Sequence, residues 1–176
     1  MRPSQTLCAI LLCALTMTQT HATAVSPARA PQKARAKAQA PAPQTEITKE
    51  KIEAIVAAFE QAGKKKDFAV IIPLLAPDFT YKSDGGNRPT RRANRAQYIE
   101  SLKLGSALVL DYTYVRKSLT ITIAPDGQSA TAHTEAFEML TLAQGTVAGN
   151  ATSLTTFRIY KGRIMIASME GTVDYV

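Results

Sequence analysis

Residues 68–81 read FAVIIPLLAPDFTY. Asp67 stands just before this stretch, where its side chain can cap a helix start, and the apolar residues Phe68 to Ile72 supply a first turn. Pro73 has no N–H to give and limits the helix to a short one. Ala76-Pro77-Asp78 breaks the pattern, and Phe79-Thr80-Tyr81-Lys82 has the aromatic and β-branched make-up of a short strand. A short helix that stops at a proline and runs into a strand is the pivot of the chain. Helical texture lies mainly before it and strand texture after it.

Upstream, Ile52, Ile55, Val56 and Phe59 fall at i, i+3, i+4 and i+7, one face of a helix. Thr48 suits its N-cap and Gly63 its end. Downstream, residues 83–89 (SDGGNRP) read as a loop. A third helix is expected from Asn94, with Gln97 completing a capping box, Tyr98, Ile99 and Leu102 on its apolar side, and Gly105 at its end. Strand texture then takes over in residues 107–117, 119–124, 129–142, 151–160 and 163–176. Turns are expected at Pro125-Asp126-Gly127 and Lys161-Gly162, and a glycine-containing loop through Gly149. Segregated helices and strands imply an α+β domain over residues 47–176, three N-terminal helices packed on antiparallel strands.

The first 24 residues differ from the rest. Arg2 precedes an apolar run, Leu7–Leu15, and Ala22-Thr23-Ala24 forms an A-x-A cleavage pattern, so residues 1–24 read as a secretory signal peptide. The run is about half of the ~20 residues a bilayer span needs. No transmembrane segment is expected after cleavage, and the location implied is periplasmic or secreted. Residues 25–46, rich in Ala, Pro, Lys and Arg and without aromatics, read as a disordered tether. Its four basic residues suit weak, salt-sensitive contact with an anionic envelope surface. Of the formal net charge of +7, Arg2 and residues 25–45 carry five, which leaves the domain close to neutral. Near-neutrality and export together argue against nucleic acid as a partner. Cleavage also removes Cys8, Cys13 and His21. The mature chain then has no disulfide, no thiol nucleophile and no His- or Cys-based metal site, and no cofactor is implied.

The order of elements, the Leu75-x-Pro77-Asp78-Phe79-x-Tyr81 stretch and the Gly85-Gly86 loop together resemble the nuclear transport factor 2-like superfamily, which includes SnoaL-like cyclases and ketosteroid isomerases. The resemblance covers residues 47–174. It implies a cone, in which a long helix and two shorter ones pack on a strongly curved sheet around a cavity open to small apolar molecules. Isomerases of the superfamily carry a Tyr in the first helix, an Asp after the first short strand and an Asp on a later strand. Phe59 occupies the first of these positions, Asp84 lies one residue from the second, and Ala151–Phe157 holds no acid for the third. The resemblance thus implies the fold without the isomerase machinery.

The side chains that bear chemistry are few. His133, Glu135, Phe137 and Met139 share one face of a strand, and His133 with Glu135 forms a possible acid–base pair. Asp84, His133 and Glu135 are the weak catalytic candidates. Phe59, Tyr81, Tyr98, Tyr112, Tyr114, Phe137, Met165 and Met169 are the candidate ligand-lining residues. Arg88, Arg91, Arg92 and Arg95 form the densest charge cluster, an anion or partner patch. Three functions remain open: a non-enzymatic binder of a small apolar or amphipathic ligand, a SnoaL-like isomerase, cyclase or hydrolase using Asp84 or His133, and an envelope interaction module acting as a homodimer. Strand parity leaves open which face of the sheet is concave.

Overall fold

The computed structural model describes residues 46–85 and 88–175. Residues 1–45, read from the sequence as a signal peptide and most of a tether, lie outside the described residues, as does the Arg88 side chain.

The first helix, α1 (Lys49–Lys65), begins where Thr48 accepts from the Lys51 N–H at 3.4 Å. Ile52 is fully buried, with Ile55, Val56 and Phe59 packed behind it. α1 runs past Gly63 and closes at Lys66, whose left-handed backbone (φ 56°) turns the chain. The Lys66 ammonium then donates to the Val109 carbonyl at 2.6 Å. Asp67 caps α2 (Phe68–Leu74), and the strand β1 (Leu75–Gly85) follows directly. β2 (Arg88–Asn94) returns antiparallel to β1. Asn94 and Gln97 form the expected capping box at the head of α3 (Arg95–Leu108), which continues past Gly105. The remaining strands are β3 (Val109–Ile123), β4 (Ser129–Leu142), β5 (Gly145–Tyr160) and β6 (Arg163–Tyr175).

The six strands form one curved sheet in the order β2-β1-β6-β5-β4-β3. Two expectations need correction. The sheet is mixed, because β1 lies parallel to β6. The helices do not all precede the strands, because the β1–β2 hairpin separates α2 from α3. Of the stretch 83–89 expected to be a loop, residues 83–85 end β1, and Arg88 and Pro89 open β2, an edge strand. An edge position tolerates Pro89, which cannot donate to a ladder on both sides.

Register identifies the concave face. On β4 the even-numbered residues Ala130, Ala132, Thr134 and Ala136 are buried, while His133 and Glu135 are exposed. Ala130 pairs with Phe157 and Ala132 with Thr155, so the odd residues of β5 share that inner face. One half of the inner face is filled by Phe79, Phe157, Ile166, Ala130 and Ala132, with Ile52 and Tyr98 pressed on them from the helices. The small alanines let large rings approach the sheet. The other half is open.

Candidate functional site

The open half is a cavity of about 360 Å³. Phe59 and Gly63 of α1, Phe68 and Ile71 of α2, and Tyr98, Ser101 and Leu102 of α3 form its helical side. Tyr81, Arg91, Tyr112, Glu138, Ala151 and Met169 form much of its sheet side. A cavity of this size, mostly apolar with a few converging polar groups, suits a small organic molecule.

Its aromatic tier is built by packing. Tyr98 sits at the first turn of α3, which the capping box fixes, and its ring lies between Phe79 (centroids 5.0 Å) and Tyr81 (4.9 Å). Its hydroxyl approaches the Met169 sulfur at 3.9 Å. Burial raises the proton affinity of both tyrosines, so they remain neutral hydrogen-bonding groups.

The polar centre is Glu138. It stands on β4 opposite Tyr114 of β3 and Gly149 of β5. Tyr112, two ladder pairs along, donates its hydroxyl to Glu138 Oε2 at 3.2 Å. Burial holds the Glu138 carboxyl above the ordinary carboxylate range, and the Tyr112 hydrogen bond pulls only partly the other way. Gly149 has a reason to be glycine. A Cβ there would lie 2.5 Å from the Asp174 carbonyl oxygen, so β5 and β6 approach each other closely beside Glu138. A half-buried carboxyl with a phenol beside it can anchor a ligand's polar group or exchange a proton with it.

Five of the eight candidate lining residues meet in the cavity: Phe59, Tyr81, Tyr98, Tyr112 and Met169. Tyr114 points inward but lies beneath α1, beside Glu60. Burial, with the Glu60 and Glu138 charges adding, pushes its hydroxyl up to about 12. Glu60 in turn pairs with Arg116 at 3.5 Å across the α1–β3 junction. Phe137 is on the outer face with His133 and Glu135, since all three alternate with the buried row of β4. The acid–base pair read from the sequence therefore faces away from the cavity, and a mechanism through His133 fails. Met165 and Met169 share a parity but not a face. Ala167 is an extra residue in β6 against β5, and this bulge leaves Met165 opposite Arg158 on the outer side.

Asp84 does not line the cavity. Its carboxylate is held by Lys82 at 2.7 Å, and hydrogen bonds from Lys82 and Thr90 keep it below the ordinary range. The arginine cluster divides. Arg91 and Arg92 border the cavity. Arg95 turns away and donates to the carbonyls of Ile72 (3.0 Å) and Leu75 (3.3 Å), closing the end of α2. Glu138 is the residue that sequence reasoning missed. The signal was present, for it is the lone acid in the row Ala130, Ala132, Thr134, Ala136, Glu138, Leu140.

Among the described residues no helix is long and apolar enough to cross a membrane. The sequence matches no family model and no curated protein. The fold does match solved structures. A nuclear transport factor 2-like protein of unknown function from Pseudomonas putida KT2440 superposes with a TM-score of 0.58 at 15% identity, over 70% of this chain and 84% of that one. A hexachlorocyclohexane dehydrochlorinase from Novosphingobium barchaimii LL02 gives 0.58 at 9% identity, over 70% and 84%. A protein assigned as a dehydratase of the nuclear transport factor 2-like family, from Streptomyces avermitilis, gives 0.59 at 14% identity, over 71% and 94%. These identities speak to architecture and not to chemistry. The chain has the nuclear transport factor 2-like fold that the Leu75–Tyr81 stretch and the order of elements resemble.

Proposed function

We propose that this is an exported protein that binds a small apolar or amphipathic molecule in the cavity between its helices and its sheet, without transforming it. The observation that carries the reading is the cavity itself. Its walls are mainly apolar and aromatic, and the Glu138–Tyr112 pair offers one place to orient a polar group. Export rests on the N-terminal pattern of residues 1–24. The non-enzymatic part rests on the placement of Asp84 and His133, neither of which lines the cavity. Native mass spectrometry of the protein isolated from its natural source tests the binding. A reproducible extra mass of small-molecule size is expected, lost on denaturation. A bare chain in every preparation counts against it.

A second reading has its own support. Val115, opposite Phe137, and Leu154, opposite His133, are exposed on the outer face. Apolar side chains grouped on a sheet face favour self-association. Sedimentation at micromolar concentration decides this: a dimer supports pairing, and a strict monomer removes it.

A further inference from the structure

The binding cavity holds a carboxyl, Glu138, that is in none of the ion pairs among the described residues. The ion pairs among the described residues use Asp78, Asp84, Glu170 and Glu60, and none reaches Glu138. Its neighbour is a neutral phenol. Around it stand the rings of Tyr112, Tyr98 and Tyr81, the last two 4.9 Å apart, with Phe59 across from them. Aromatic faces and one carboxylate in a mainly apolar cavity are the groups that recognise an organic cation, through the ring quadrupoles and a direct charge pair. Resting on the cavity reading above, we propose that the Glu138 end is a subsite for the positively charged nitrogen of a small organic ammonium compound, seated against the Glu138 carboxylate and the tyrosine rings.

The other charged groups of the cavity do not supply that partner. Lys66, at the end of α1, gives its ammonium to the Val109 carbonyl. On β2, Arg91 acts on Tyr81 and Arg92 on Asp84. Glu60 of α1 faces Arg116, and Glu170 of β6 faces Lys82. Tyr81, Tyr98 and Tyr112 hold their protons more tightly than ordinary tyrosine, so they do not titrate where Glu138 does. The nitrogen of a bound ligand would pair with the Glu138 carboxylate, and binding would draw the proton off its carboxyl.

Benzyltrimethylammonium and its neutral carbon isostere neopentylbenzene make a matched pair of probes, and calorimetry compares them on the full chain. The cation is expected to bind at least roughly tenfold more tightly. Its affinity should climb with pH through the ionisation of Glu138. A quaternary nitrogen has no proton to lose, so that slope reports on the protein. Glu138→Gln keeps the size of the side chain and still accepts the Tyr112 hydroxyl. It should abolish both the preference and the slope while leaving neopentylbenzene bound, which also shows that the variant is folded. Equal affinities, or a tighter neutral probe, overturn the ammonium subsite and leave the cavity reading standing. Failure of both probes to bind wild type overturns the cavity reading and the subsite with it.

Discussion

Replacing Tyr112 by Phe removes one hydroxyl and leaves the ring in place. That hydroxyl donates to Glu138 Oε2 at 3.2 Å. The contact is long compared with the ~2.5–2.7 Å of a strong hydroxyl–carboxylate bond, so it falls at the weak end of the range for charged acceptors, about 1.5 kcal/mol. The full loss applies only where Glu138 is ionised. Burial places the folded carboxyl above its unfolded value. Its contribution to stability is therefore complete below the ordinary carboxylate range and is lost as pH rises through the folded value. The Tyr112 hydroxyl counters that displacement, so Tyr112→Phe should push the folded carboxyl higher and extend the loss. The difference in unfolding free energy between wild type and variant should be small at low pH and widen as pH rises. Urea unfolding at a series of pH values measures it, and a carbon-detected NMR titration follows Glu138 directly. A difference that is constant with pH, or a Glu138 that titrates lower in the variant, would refute the reasoning.

Three further outcomes follow from the same geometry. Glu138→Gln removes the half-buried acid, so the variant should gain stability relative to wild type as pH rises above the ordinary carboxylate range, read by thermal melts at several pH values. Gly149→Ala drives a methyl to 2.5 Å from the Asp174 carbonyl oxygen and should cost about 1–3 kcal/mol in urea unfolding, by parting β5 from β6. His133→Ala alters an exposed outer-face residue and should leave ligand affinity unchanged and stability within about 0.5 kcal/mol.

Much of the architecture was legible because local chemistry agreed with the fold. Thr48, Asp67 and the Asn94–Gln97 pair cap helices where their side chains predict. The Lys161-Gly162 turn has the positive φ values its composition suggests. β2 was hidden because Arg88-Pro89-Thr90-Arg91-Arg92 looks like a loop. On a sheet edge, proline and charge are what the position favours. Gly149 looked like a loop residue, and it is held in β5 by a close approach of two backbones that no local signal encodes. The site was read less well, for two reasons. Phe137 and Met139 gave the odd face of β4 an apolar look, while the row of small alanines on the even face was the better guide to the side that large rings cover. The bulge at Ala167 then moved Met165 and Met169 to opposite faces, and a parity argument cannot see a bulge.

The central claim is that small molecules bind in the inner cavity, not on the outer sheet face. Backbone amide NMR shifts on addition of neopentylbenzene test it most directly. The account predicts saturable shifts at Tyr98, Leu102, Tyr112, Ala151 and Met169, with His133, Phe137 and Leu154 unmoved. Shifts confined to His133, Phe137 and Leu154 would contradict it.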